Sequence, residues 1–407
     1  MSSPLASHSD IIILGAGPAG LACALKCQQL GREYLLIEGS NRIGGRLGSL
    51  YEDGYIFDLG FQVYNSAYVN TNRLLDLDEL NLKYFKPGAA VHHGNSFQIL
   101  SDPLRDISKV FSTIFSDLTT IKDKIKILSL KNSLSDYQIE QDHTKDITTL
   151  EFLEQYGFSD KFIKSFFIPF FSGIFLESKL ETSSKFFKYV FSNFNNGLAA
   201  FPCEGMQAIP DQLLSQLDRE RVIIGSPVIN IDDKKNITLD NGTSIRGNRF
   251  ILSGESTALL DGQKGEYNAV KTMYFSTQNE IINGEYIHLF PEDNIINNIA
   301  IPTYISNSYS KNSDHLISVT ILESDITETQ LVKDLQDRLS QYYGGSPSTY
   351  EFLRTINIQR GTLKQPPGHF DRSPKNRKDH IYFIGEKVTN GSIEGAVLAG
   401  LNVAYEL

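Results

Sequence analysis

Tryptophan is missing from this chain, cysteine and methionine occur three times each, and positive charge is in deficit. Each scarcity excludes something. Three cysteines cannot build the disulfide framework of a small secreted domain, and with no clustered His or Cys nearby they do not form a metal site. Cys23 and Cys27 stand four apart in an expected helix and read as small buried residues; with Cys203 they fit a reducing, cytoplasmic setting. Lys and Arg total 38 against 48 Asp and Glu, a net charge of −10, which argues against a nucleic-acid backbone as partner. No run approaches the roughly 20 apolar residues that a membrane-spanning helix needs. The opening MSSPLASHSD lacks the basic and apolar regions of a secretory signal and reads as a short disordered leader. Repeats and low-complexity tracts are absent too.

What remains is a globular composition, 41% hydrophobic and 21% charged over 407 residues, enough for two or three domains of about 150 residues. IIIL (11–14) is the continuous apolar run expected of a parallel strand buried on both faces. It feeds GAGPAGLACALKCQQLG, in which Gly15, Gly17 and Gly20 form G-x-G-x-x-G at a strand-to-helix junction. Gly15 permits the tight turn, Gly17 lets backbone approach a pyrophosphate, and Gly20 lets helix and strand pack closely. The helix N-terminus adds unpaired N–H groups and a partial positive charge. A second strand, YLLIE, ends on Glu38, about 20 residues further on and placed for a ribose hydroxyl. Strand, helix and acid in one register predict dinucleotide binding.

The stretch EGSNRIGGRL (38–47) extends that reading. Gly44 and Gly45 allow backbone geometries that a side chain forbids, and Arg46 then returns towards a diphosphate, complementing the helix dipole. At the other terminus IYFI is an apolar strand stopped by Gly385 and Glu386. From Ser392 onward the small residues Gly395, Ala396, Ala399 and Gly400 suit a helix pressed against a neighbour. Its N-terminal amides would stabilise negative charge on a bound group.

GAGPAGL, IEGSNRIGGRL, FDLGFQV and GSIEGAVLAG together resemble the flavin-containing amine oxidase superfamily, which includes monoamine oxidases, protoporphyrinogen oxidases and phytoene desaturases. EGAVLAG is most similar to the desaturase branch. The resemblance implies an α/β fold: an FAD-binding Rossmann-like domain of the glutathione-reductase type with an inserted mixed α+β substrate domain. It implies FAD in extended form, held by Gly15, Gly17, Pro18, Ala19, Gly20, Glu38, Gly39, Gly44, Gly45, Arg46 and Leu47. DLGFQ, Asp58 to Gln62 and within it Gly60, Phe61 and Gln62, would lie beside the isoalloxazine, Val228 would meet the adenine through its backbone, and Gly385, Glu386, Ser392, Ile393 and Ala396 would close the flavin end. Ser40 departs from the pattern, since many amine oxidases carry a further arginine there.

The family organisation implies a discontinuous FAD domain, 1–62, 200–262 and 350–407, with a substrate domain from 63–199 and 263–349. RVIIGSPVINI, NITLDNGTSI and NRFILSG read as a β-meander, with Asn241-Gly242 as its hairpin. KFIKSFFIPFFSGIFLESKLETSSKFFKYVFSNF is phenylalanine-rich and reads chiefly as a helical core, with some rings free to line an apolar pocket. KVFSTIFSDLTTIKDKIKIL (109–128) shows apolar residues every three to four positions and reads as a core-facing helix, weak peripheral membrane contact being the alternative. LKQPPGHFDRSPKNRKDH reads as a solvated loop.

The cofactor carries the redox chemistry, so the protein need only orient a C–H bond and exclude water. Accordingly no catalytic side chain is assigned, and the pair His92–His93 reads as structural. Two departures weigh against amine oxidation: Ser392 stands where monoamine-type enzymes place an aromatic ring, and the family's lysine near the flavin lacks a clear counterpart, Lys271 being too different in context. The expectation is therefore an FAD-dependent oxidoreductase that dehydrogenates or desaturates a largely apolar, isoprenoid or polyene-like molecule by hydride transfer to flavin N5. The rivals are an amine or amino-acid oxidase releasing peroxide, a non-redox flavin-dependent isomerase, and a cofactor-free binding protein similar to the GDP-dissociation inhibitors. The intact glycines, Glu38 and Arg46 speak against the last.

Overall fold

Short runs of Ile and Leu become strands here because both of their faces find cover. A computed structural model describes residues 7–100, 118–261, 265–322, 326–371 and 376–407. Its first sheet has a parallel centre in the order Val222–Ile223, Tyr34–Ile37, His8–Leu14, Ser244–Ser253, Ile381–Ile384. Ile11 and Ile13 pack on one face with Cys23, Val403 and Ala404 of the first helix (Pro18–Gln29) and the terminal helix (Ile393–Glu406). Ile12 and Leu14 pack on the other face against Ile237, Leu239 and Ile245 of the meander. The two helices touch at backbone distance, because a Cβ on Gly400 would sit 2.2 Å from the Ala19 carbonyl oxygen. The small residues of the terminal segment thus act by letting it approach.

The meander is Val228–Ile231, Asn236–Leu239 and Ser244–Ser253, turned at Gly242 with φ +83°. RVIIGSPVINI is not one strand. Val222–Ile223 joins the parallel edge beside Tyr34–Ile37, and the turn at Gly225, φ +71°, with Pro227 carries the chain over to start the meander at Val228.

The second sheet runs Glu351–Leu363, Tyr267–Thr277, His315–Ile321, Asn298–Ala300, Ile287–Leu289, Ala89–His93, Ser96–Leu100. Leu331, Leu335 and Leu339, spaced four apart on helix Glu328–Tyr343, pack on its outer face over Met273, Phe275, Ile317 and Val319. The alternating residues Tyr274, Leu316 and Ile356 join the core of the first unit. Glu351–Leu363 pairs along Tyr267–Ser276, so its sheet membership differs from the expected 350–407 segment. We keep the division into two domains as a proposal, with this strand moved to the second.

Over the inner end of that sheet lie Asp160–Phe162, a wide π-helical turn at Ile163–Phe167, Ile168–Phe175 and Ser184–Asn196. Phe167, Phe171, Phe175 and Phe187 are fully buried among one another, as the core reading expects. The helix expected over 109–128 is corrected where it is described: Ile121–Ser133, capped by Thr120, exposes Ile121 (78%) and Ile125 (62%) and buries Leu130. Residues 109–117, the first six of the leader and 372–375 of the Pro-rich loop lie outside the described residues. No described helix is long and apolar enough to cross a membrane.

Candidate functional site

Four of the parallel strands end side by side, at Leu14, Ile37, Ser253 and Ile384, and the predicted residues gather where they stop. In open α/β sheets this edge is where ligands bind. Gly15 turns with φ +97°, its N–H donating to the Ile37 carbonyl at 2.8 Å. A Cβ on Gly20 would lie 1.9 Å from the Gly15 carbonyl oxygen, so only glycine fits that crossing. Gly17 differs. It is the residue before Pro18 and the first helical turn, and a Cβ there would meet nothing within 4 Å. The helix N-terminus therefore faces open space at Gly17, as an end that cradles an anion through its backbone requires.

Glu38 accepts from the Ala16 N–H at 2.7 Å and from the Ser40 N–H and hydroxyl at 2.9 Å each. Ser40, the departure from the family pattern, thus orients the acid. Gly39 lies against Pro227, a Cβ there being 3.3 Å from the proline Cα, which brings the meander's first residue, Val228, to the same end. Gly44 and Gly45 have φ +99° and +58°; the Gly44 N–H donates to the Ala16 carbonyl at 2.8 Å, and a Cβ on Gly45 would be 3.5 Å from Gly17 Cα. The glycine pair therefore forms the opposite lip of the cradle. Leu47 is buried behind it.

Arg46 reaches across to Glu386, 2.6 Å from guanidinium to carboxylate, and also donates to the Gly361 carbonyl. Gly385 turns with φ +99°, and a Cβ there would lie 4.0 Å from the Ala19 methyl. Gln62 donates to the Arg46 carbonyl at 2.7 Å while its own Oε1 is buried without a partner. Gly60 turns with φ +85° beside Thr272, whose buried hydroxyl is also unpartnered. Two orphaned polar atoms on either side of one loop suit a bound group that supplies hydrogen bonds. Phe61 is the exception among the predicted residues: its ring packs edge-on to Phe85 and Phe201, so only its backbone faces the site.

Ser392 caps the terminal helix, its hydroxyl accepting from the Gly395 N–H at 2.9 Å, with Ile393 and Ala396 half-buried in the first turn. Tyr189 comes to this cap, its hydroxyl 3.3 Å from Ser392 Oγ. Burial raises its phenol to about 12 and raises that of Tyr68 well above the usual value, with Tyr189 and Glu394 adding to the latter. Both residues are half-buried overall.

Arg42, Ser253 and Glu394 carry no role in the sequence reading, and Asp58, expected beside the isoalloxazine with Gly60–Gln62, turns its carboxylate into the core instead. Arg42 folds inward, donating to the carbonyls of Ile43, Gly45 and Leu47 and to Gln207, and so braces the glycine pair. Ser253 fills the place a Gly15 side chain would need. Asp58 is buried, accepting from Ser49 (2.5 Å), the Met206 N–H (3.0 Å) and Tyr309 (2.6 Å), and burial pushes its carboxyl up to about 6. Glu394 accepts five hydrogen bonds from residues 69–71. A lone acid within an apolar or small-residue run was the available signal for the last two. Lys271 shares the face of Met273 and Phe275, away from Gly60, and Thr272 occupies the site-facing position. His92 stacks among Phe97, Phe290 and Tyr342, and His93 pairs with Glu292, as a structural role requires.

Residues 18–407 match the family model described as flavin containing amine oxidoreductase. A putrescine oxidase from Kocuria rosea is 29% identical over 134 residues, 33% of this chain and 27% of that protein. A 1-hydroxycarotenoid 3,4-desaturase from Flavobacterium sp. (strain P99-3) is 29% identical over 133 residues, 31% of this chain and 26% of that one. The chain thus matches little more than a quarter of the length of these relatives. A solved putrescine oxidase variant superposes with a TM-score of 0.75 over 98% of both chains at 14% identity, which is a likeness of fold.

Proposed function

The chain belongs to the flavin-containing amine oxidoreductase family and is an FAD-dependent oxidoreductase, and from that premise we propose that it dehydrogenates a largely apolar, isoprenoid or polyene-like substrate. We assign the cofactor to the cradle at the strand ends. The first helix and the Gly44–Gly45 turn would hold its pyrophosphate, with Arg46 adding charge; Glu38 would take the ribose and the Val228 backbone the adenine. The unpartnered Gln62 Oε1 and Thr272 hydroxyl would gain hydrogen bonds at the flavin end, and the first amides of the terminal helix would stabilise negative charge there. Bound FAD supplies the two-electron acceptor. Around it, the chain's own task is to place a C–H bond and keep water away from it.

One observation carries the choice of an apolar substrate. The buried carboxylates among the described residues are Asp58, Asp123, Asp146, Glu386 and Glu394; four are hydrogen-bonded by the protein's own donors, and Glu386 is held by charge against Arg46 while its Oε1 has no hydrogen bond. None is left as a counter-ion for an alkylammonium group, whose burial unpaired costs several kcal/mol. Tyr68 and Tyr189 offer aromatic surface instead. That same pair favours a second reading, amine oxidation, because Tyr189 brings to Ser392 the ring that the sequence lacked.

Anaerobic mixing of the yellow holoprotein with a polyene, its hydroxylated analogue and a short diamine separates the readings. Bleaching by either polyene and not by the diamine is expected. Bleaching by the diamine alone, with peroxide on admitting oxygen, would establish the amine reading in its place. Turnover that needs reduced FAD without net bleaching would mark an isomerase.

A further inference from the structure

Resting on that placement of FAD, we infer that Glu394 is a positioning residue: it fixes Tyr68 beside Tyr189 and so sets one wall of the substrate recess. Glu394 stands in the first turn of the terminal helix, directly after Ser392 and Ile393, and is buried. Oε1 accepts from the N–H groups of Val69 (3.2 Å) and Asn70 (2.7 Å) and from the Asn70 side-chain amide (2.8 Å). Oε2 accepts from the Thr71 N–H (2.9 Å) and hydroxyl (2.6 Å). One carboxylate therefore closes the start of the short helix Val69–Asn72, more than three hundred residues away in sequence.

The segment it holds is the continuation of Gly60–Gln62. Tyr64–Asn65 pairs with Ala199–Ala200, Asn65 Oδ1 accepts from the Ala67 N–H at 2.9 Å, and Tyr68 is the residue just before the captured helix. The Tyr68 ring meets Tyr64 edge-on at 5.4 Å, so fixing residues 69–71 fixes that ring too. On the other side, Ser392 holds the same helix start and touches Tyr189. Glu394 thus ties the loop at one side of the proposed flavin ring to the helix at the other. Five donors satisfy both of its oxygens, so it does not wait for a cationic ligand.

Glu394→Gln tests this with little change in volume. The new amide N–H₂ must face donors that already point at that position, so the bonds on one of the two oxygens are lost. We expect FAD affinity to stay within about threefold, since the cradle is untouched. Tyrosine nitration mapped by mass spectrometry should rise about 10-fold at Tyr68, with Tyr34 and Tyr350 unchanged, and the flavin emission of the holoprotein should change. Thr71→Val, which removes one of the five bonds, should shift both readouts the same way by less. Leu335→Ala, destabilising but on the far face of the second sheet, should shift neither. Unchanged nitration at Tyr68 in folded Glu394→Gln, or an equal rise at every tyrosine, would overturn the inference. If the wild-type protein takes up no FAD while Tyr68 still responds, the cofactor placement fails and the latch stands.

Discussion

The two halves of this molecule make their surfaces by opposite means. At the ends of the parallel strands the work is done by backbone: Gly15, Gly17, Gly44, Gly45 and Gly385 bring amides and carbonyls together, and several side chains, such as Arg42 and Ser253, serve mainly to brace them. Over the second sheet it is done by side chains, with Phe167, Phe171, Phe175 and Phe187 packed ring on ring. Backbone sites tolerate almost no added atom, whereas an aromatic core tolerates changes in shape and loses energy in proportion to what is removed. One half should therefore fail abruptly, the other gradually.

The largest effect is expected where a missing atom is the whole function. Gly20→Ala would drive its methyl into the Gly15 carbonyl oxygen, 1.9 Å away, at a cost of about 4 kcal/mol or more. Little folded protein should be recovered, and recovery of a normally melting variant would show that the junction can yield.

Asp58 sits on the seam between the halves, its carbonyl accepting from Tyr274 and its carboxylate from Tyr309. Its carboxyl is raised in the fold from 3.8 to about 6 by burial, so between those values the native state binds more proton than the unfolded chain. Stability should fall as pH rises from about 4 to about 6, by at most about 3 kcal/mol, and then level off. In Asp58→Asn that slope should vanish, alongside a general loss of stability because the amide N–H₂ opposes donors from Ser49, Met206 and Tyr309. Chemical denaturation across that pH range reads both; an equal slope in the variant would assign the titration elsewhere.

The geometry at the ends of the parallel strands was largely legible in sequence because its features are local. A glycine at a fixed offset from a strand announces a turn, and the G-x-G-x-x-G, Glu38 and the Gly44–Gly45 pair all come together as their spacing implies. What was not legible depends on contacts between distant segments. Glu394 and residues 69–71 carry no mutual signal, nor do Tyr189 and Ser392. Glu351–Leu363 reads as a strand in either sheet, and only its pairing with Tyr267–Ser276 decides which. The apolar rhythm around Ile121 and Ile125 likewise predicts a buried face, and the described helix turns those residues outward.

The sharpest test sets one position from each half against the other, reading FAD affinity of the apoprotein by titration and melting of the same samples. Gly17→Ala places its methyl in the open cradle, where nothing lies within 4 Å, while Phe187→Ala empties a fully buried ring position. The expected result is a crossing. Gly17→Ala should melt as the wild type does yet bind FAD roughly 100-fold more weakly, about 3 kcal/mol. Phe187→Ala should lose about 3 to 5 kcal/mol of stability and keep its FAD affinity. If Gly17→Ala binds FAD normally, the cradle at the strand ends is not where the cofactor is held.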